Sequence, residues 1–287
     1  MTGTLWEQDP ETDGRRRYLV ADVFTTKPLE GNQLGVFLDA RGLSGELMQQ
    51  TARELNLSET VFFLPPQTTG DARIRIFTPA RELPFAGHPV LGSAFVLADL
   101  LGQASVTLET GVGLIPVTID GTFGQMEQQV PTHQPYERDG ELLAALGVSA
   151  SVLPVEVYEN GPRHVYVALA SAEEVASLKP DITSLGDHDA GVSCFAGSGT
   201  SWKTRMFAPS IGVAEDPATG SAAGPLAVHL ARHGRIGFGE QIEISQGAEI
   251  ARPSRLYARV EGTADTIEHV YVGGSAVVVA SGEYRLR

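Results

Sequence analysis

Residues 87–98, GHPVLGSAFVLA, and residues 220–231, GSAAGPLAVHLA, open alike: a leading glycine, a polar second residue, then small and apolar residues with hardly a charge. Each predicts a helix with no solvent face, and such a helix belongs inside a wrapping of other elements. The two stretches lie 133 positions apart. Two further pairs repeat at an offset of 130: GNQLGVF (31–37) with GPRHVYV (161–167), and RIFTP (75–79) with RMFAP (205–209). A loop three residues longer in the second copy accounts for the difference. Three pairs sharing nearly one offset make the chain an internal duplication, which decides the fold before any single element is assigned.

Working outward, short runs rich in β-branched and aromatic residues, bounded by Gly, Pro and Asp, predict strands in the first half at 18–24, 34–38, 60–64, 74–77, 106–108, 115–119 and 123–129. The second half repeats the plan at 155–158, 165–169, 192–195, 204–207, 242–245, 256–260 and 270–272. Further helices are expected at 44–56, with Leu47, Thr51 and Leu55 on one face, and at 140–146. Residues 130–140, VPTHQPYERDG, carry two prolines and no period, and predict a linker. The expected class is α+β: two pseudo-symmetric halves, each a curved, mostly antiparallel sheet or barrel around a central helix, the two facing across a cleft. The expected boundaries are a flexible N-terminal tail at 1–17, an N-terminal domain at 18–130 and a C-terminal domain at 131–287, the last strand packing on the N-terminal half.

Composition narrows the function. With 42% hydrophobic residues among 287, the chain can bury one large core or two ordinary ones. A net charge of −14 disfavours non-specific binding to nucleic acid or an anionic membrane, so an anionic ligand must be attracted by local geometry. The apolar run around 89–101 is too short and too interrupted to span a bilayer. The polar start, MTGTLWEQDPETDGRRR, has no signal-peptide pattern, and a cytoplasmic location is expected. Cys194 is the single cysteine, which rules out an internal disulfide, a two-thiol mechanism and a cysteine-rich metal site.

The candidate chemistry gathers at the helix starts FAGHP and DPATGS. Their positive dipole ends and first N–H groups suit a phosphate, a carboxylate or an enolate-like charge, although each taken alone is an ordinary helix cap. Pro217, Thr219, Gly220 and Ser221 suit a turn and cap for the second. His88 sits in the cap region of the first helix, where it can meet a ligand or merely cap. Asp216 precedes Ser221 and can accept from a substrate hydroxyl or amine, or cap. Glu59, in NLSET, stands where a loop enters an apolar strand; a carboxylate aimed inward there would have a raised pKa suited to exchanging protons with carbon acids. On spacing alone the preferred reading of Glu59 is a solvated turn residue or one in a local hydrogen bond with Ser58. His229 and His233 have the spacing of a metal pair but no glutamate follows the first, so packing and helix C-terminal complementarity are the preferred account. Residues 186–189, GDHD, read as a solvated loop. GSGT at 197–200 lacks the rest of a dinucleotide fingerprint, and Ser221 lacks the G-x-S-x-G of a hydrolase. No metal site is expected from these residues.

Five stretches in order, DVFTTKPLEGNQLGVFLD, ARELNLSETVFF, IRIFTPARELPFAGHPVLG, NGPRHVYVAL and EDPATGSAAGPLAVHLARHG, resemble the PhzF family of phenazine-biosynthesis isomerases, from about Tyr18 to near the C-terminus. The resemblance implies the diaminopimelate epimerase-like fold, without that enzyme's cysteine pair. It also implies a cofactor-free, homodimeric isomerase of trans-2,3-dihydro-3-hydroxyanthranilate, a small carboxylate substrate. In that picture the acid/base glutamate falls on Glu59, which moves a proton from C3 to C1. His88 and Asp216 orient substrate and support the transfer, and Gly87, Gly220 and Ser221 contact the ligand. The alternatives are an isomerase or epimerase of another small amino or hydroxy acid, or a family member without catalysis. The tail before Tyr18 exceeds the family pattern.

Overall fold

The computed structural model describes Trp6 and residues 14–286. The chain divides into two compact units, Met1–Met126 with Gly274–Arg287, and Glu127–Gly273. The first runs β1 (Arg15–Val23), β2 (Asn32–Phe37), α1 (Gly45–Leu55), β3 (Glu59–Leu64), β4 (Ala72–Phe77), β5 (Glu82–Leu83), α2 (Gly87–Leu101), β6 (Ser105–Thr110), β7 (Gly113–Asp120) and β8 (Phe123–Gln128), which ends across the boundary. The second runs β9 (Thr132–Pro135), α3 (Asp139–Leu146), β10 (Glu156–Glu159), β11 (Arg163–Ala168), α4 (Ala172–Ser177), α5 (Ile182–Leu185), β12 (Gly191–Ser198), β13 (Ser201–Ala208), β14 (Val213–Asp216), α6 (Gly220–Arg232), β15 (Gln241–Gln246), β16 (Ser254–Gly262) and β17 (Ile267–Gly274). A final strand, β18 (Ala276–Arg285), returns to the first unit and pairs antiparallel with β1.

The duplication is visible in the pairing. In the first unit β1 and β2 are antiparallel, β2 and β3 parallel across α1, β3 and β4 antiparallel, and β4 and β6 parallel across α2. In the second, β10 and β11 are antiparallel, β11 and β12 parallel across α4 and α5, β12 and β13 antiparallel, and β13 and β15 parallel across α6. Parallel neighbours need a crossover, and each unit makes its second crossover with its buried central helix. Each unit is thus a mostly antiparallel sheet wrapped on one helix, the α+β plan expected from the sequence.

Burial follows composition. In α2, 11 of 15 residues are buried, and in α6, 12 of 13. The outer helices are amphipathic: α1 buries Met48, Thr51 and Ala52 and is fixed at both ends, Ser44 Oγ accepting from the Leu47 N–H and Asn56 adopting the left-handed conformation. An aromatic ladder crosses the first sheet, with Phe37 stacked on Phe62 at 4.9 Å and on Tyr18 at 5.5 Å. In the second unit Leu142, Leu146, Val165, Val192, Cys194 and Phe207 share one apolar cluster.

Two local expectations change. The first strand begins at Arg15, because β18 extends far enough to pair Arg15 with Arg285; of the expected tail, residues 1–5 and 7–13 lie outside the described residues. The expected linker contains β9, whose four residues are all exposed and so leave no alternating signature, yet pair with β10. Asp216 closes the short strand β14.

Close approach of α2 to the sheet depends on Gly92: a Cβ there would lie 2.6 Å from Val23 Cγ2 and 2.7 Å from Leu34 Cδ2. Gly140, in α3, has no atom within 4 Å of the same added carbon. Gly92→Ala is expected to destabilise by about 1–2 kcal/mol, overpacking outweighing the helix-propensity gain, while Gly140→Ala is neutral or stabilises by about 0.5 kcal/mol. Urea unfolding midpoints of the two variants check this; equal effects would refute the tight packing of α2.

Candidate active site

In the first unit, the parallel pairing of β2 and β3 sets Leu34 beside Glu59, with Asn32 two residues earlier on the same face of β2. Gly31 makes this possible: its φ is +71°, and a Cβ would collide with the Val23 carbonyl oxygen. His88, second residue of α2, sits between these strands. Its Nε2 faces Glu59 Oε2 at 3.2 Å and its Nδ1 faces Asn32 Nδ2 at 3.3 Å. The His88 side chain is 4% exposed and that of Glu59 13%. Burial drives the His88 pKa down to about 3 against a backbone hydrogen bond with Gln33, so the ring is neutral at pH 7. The pair is therefore a carboxyl group beside a neutral imidazole, a couple that can share or pass one proton without stranding two buried charges. The N-cap of α2 is Ala86 and no side chain caps it, leaving the first-turn N–H groups to other acceptors.

The second unit builds a different helix start from the same plan. No side chain caps α6 either. Thr219, expected to share in the cap, instead donates to Asp216 Oδ2 at 2.5 Å. Gln246 of β15 holds this corner: its amide nitrogen donates to the Asp216 carbonyl at 2.8 Å and to Thr219 Oγ1 at 3.0 Å. Side chains also grip the first-turn carbonyls. Gln128 donates to Gly220 at 3.0 Å, Asn160 to Ser221 at 3.1 Å and Tyr166 to Ala222 at 2.7 Å. The Asn160 contact answers a specific defect: Pro225, four residues after Ser221, has no N–H for the Ser221 carbonyl, and the asparagine amide supplies the missing donor. Ser221 Oγ lies 3.1 Å from His164 Nε2.

The expected residues thus fall into two groups. Glu59, Gly87 and His88 meet at the start of α2, and Asp216, Gly220 and Ser221 at the start of α6. Sequence reasoning missed Asn32, Gln128, Asn160, His164 and Gln246; Asn32 and His164 stand inside the repeated GNQLGVF and GPRHVYV segments, so the duplication itself was the available signal. Cys194 is wholly buried, and burial pushes its thiol up to about 12, so it offers no thiolate. His229 and His233 both reach Glu156 Oε2 at 3.1 Å, where Arg232 at 2.9 Å and Tyr158 at 2.9 Å also donate. The sequence showed the histidine spacing but not the strand carboxylate that explains it.

Residues 21–282 match the family described as phenazine biosynthesis-like protein, PhzC-PhzF. The chain is 53% identical over 272 residues to trans-2,3-dihydro-3-hydroxyanthranilate isomerase of Pseudomonas aeruginosa, an alignment covering 93% of this chain and 98% of that protein. It is 52% identical to the Pseudomonas chlororaphis protein of the same name, covering 92% and 98%. Among solved structures it is similar to a Bacillus anthracis phenazine biosynthesis protein of the PhzF family, with a TM-score of 0.84, 27% identity, and coverage of 94% and 99%.

The buried histidines make stability depend on pH with a definite sign. Burial lowers His88 to about 3 and His164 to about 4, from an ordinary 6.5, and lowers His229 against its hydrogen bond to Glu156. Between the folded and unfolded values the unfolded chain binds more protons, so stability is complete above about pH 6.5 and falls as pH drops toward 4. Glu156, where hydrogen bonds from His229, His233 and Tyr158 and the Arg232 charge outweigh burial, is held below the usual carboxylate range and adds a loss of the same sign at lower pH. At pH 5 His88 and His164 are expected to cost about 2 kcal/mol each relative to pH 7.5. Urea midpoints at the two pH values measure it; an unchanged midpoint would contradict neutral burial of these rings.

Proposed function

The chain belongs to the phenazine biosynthesis-like family, and we propose that it isomerises trans-2,3-dihydro-3-hydroxyanthranilate to 6-amino-5-oxocyclohex-2-ene-1-carboxylate without a cofactor, with Glu59 as the single acid/base. The observation that carries the proposal is the Glu59–His88 contact at 3.2 Å, in a chain about half identical to isomerases of that name. Glu59 takes the proton from C3. The C–H electrons form the C3=C4 bond, the C4=C5 pair moves to C5=C6, and the C6=C1 pair receives the proton that Glu59 returns at C1. The resulting enol tautomerises to the ketone. One base suffices because the proton leaves and returns on one face of the ring.

Negative charge in this shift delocalises from C3 through C5 and C1 into the ring carboxylate. Donors placed on that carboxylate therefore bind the transition state more tightly than the substrate. Gly87, Gly220 and Ser221 take this role, suited by helix starts that no side chain caps. Neutral His88 steadies the Glu59 carboxyl and the substrate, and Asp216 orients the ring substituents. No helix among the described residues is long and apolar enough to cross a membrane; a cytoplasmic homodimer completes the proposal.

The test is incubation of the purified protein with the dihydro substrate in deuterated water, following the product by NMR. Consumption of substrate, with deuterium entering at C1 wherever Glu59 exchanges with solvent, is expected, and Glu59→Gln should lower kcat by about 10²–10⁴-fold with the fold intact. Substrate that remains intact with wild-type protein would sink the isomerase assignment in favour of another small amino or hydroxy acid or of a non-catalytic role. Undiminished turnover by the glutamine variant would sink the role of Glu59 alone.

A further inference from the structure

His164 is a buried side chain that the proton transfer does not use. It is the second residue of β11, only 3% exposed, and is the hydrogen-bonding partner of Ser221 Oγ among the described residues. Its other ring nitrogen, Nδ1, is buried without a hydrogen-bond partner. That nitrogen lies over Gly191, its parallel neighbour on β12, where an added Cβ would sit 3.0 Å away, and the same spot is flanked by the Met206 thioether. A neutral imidazole carries one N–H. Placed on Nδ1, it would be an orphaned buried donor, which proteins rarely tolerate; placed on Nε2, it is satisfied by Ser221 Oγ. Burial supports the neutral form by pulling the His164 pKa down to about 4.

We infer that His164 is a positioning residue: its Nε2–H donates to Ser221 Oγ and thereby turns the serine hydroxyl hydrogen outward, as a donor to the substrate carboxylate. Were the ring the acceptor, the hydroxyl would spend its one hydrogen on His164 and show an anion only lone pairs. The first unit provides an independent parallel. There Asn32, on β2, contacts His88, the second residue of α2; here His164, on the equivalent β11, contacts Ser221, the second residue of α6. At the repeat offset of 130, His164 falls two residues beyond the match of Asn32, which on a strand is the same face. Both halves thus set the side chain behind the helix's leading glycine with a polar group from the same strand.

This inference rests on Ser221 meeting the substrate carboxylate, and the experiment separates the two. Steady-state kinetics are compared for wild type, Ser221→Ala, His164→Phe, His164→Gln and the Ser221→Ala/His164→Phe double variant. Each single change to Ala or Phe is expected to lower kcat/KM by about 10–100-fold, the size of one hydrogen bond to a charged group. The double variant should be no worse than Ser221→Ala, and His164→Gln, whose amide can donate, should recover most of the loss. Losses that multiply in the double variant would overturn the positioning role. An unchanged kcat/KM in Ser221→Ala would instead remove the carboxylate role and the inference with it. Should the variants fail to fold, long-range ¹H–¹⁵N spectra of histidine-labelled wild type read the tautomer directly: Nε2 protonated supports the inference, Nδ1 protonated overturns it.

Discussion

A helix that is apolar on every side can be stable only if the chain surrounds it, and this single requirement organises both halves of the molecule. The cores of α2 and α6 leave almost no residue to solvent. A strand pair cannot enclose such a cylinder; a sheet carried around it by crossovers and hairpins can, and each unit repeats that solution strand for strand. Gly92 and Gly224 show how tight the enclosure is, since a side-chain carbon at either would run into strand residues, Leu34 in one unit and Val270 in the other.

Enclosure has an electrostatic consequence at the helix starts. Backbone dipoles concentrate partial positive charge there, and the surrounding apolar material strengthens any interaction that charge makes. Ordinary surface helices settle this with a serine or aspartate cap, as α1 does with Ser44. The two central helices decline that solution and instead fix the start from the strands: Asn32 and Glu59 hold His88, while Gln128, Asn160, His164 and Tyr166 hold the first turn of α6. No side chain is spent on capping either start, and the arrangement buries two histidines that must stay neutral.

How much of this could be read from the sequence depended on period and repetition. The central helices, the strands rich in β-branched residues and the capped α1 all carry a local signature, and their positions followed. Strand β9 carries none, because THQP is exposed on both faces and is ordered only by its neighbour β10. Glu59 and His88 were legible as residues but not as a pair, since nothing in a one-dimensional spacing of 29 positions says that a strand start and a helix start converge to 3.2 Å. The same limit hid Glu156 beneath His229 and His233: a helix displays its own i, i+4 spacing, whereas a partner on a distant strand is set by sheet register alone.

The duplication also explains why the two helix starts carry different chemistry. A reaction that inverts a carbon centre needs a base on each face of that carbon. A proton that leaves and returns on one face needs only one base. Under the proposed isomerisation the second reactive group is superfluous, and its position can be given to binding. The sequence differs between halves in that manner: the residue behind the leading glycine is His88 beside a carboxylate in one, and Ser221 beside a neutral imidazole in the other. The carboxylate nearest the second start, Asp216, is tied to Thr219 through the corner that Gln246 holds. Under the proposed isomerisation an asymmetric reaction is served by a duplicated fold through a change of the side chain behind the leading glycine and of its neighbour, on strands and helices paired alike in both units.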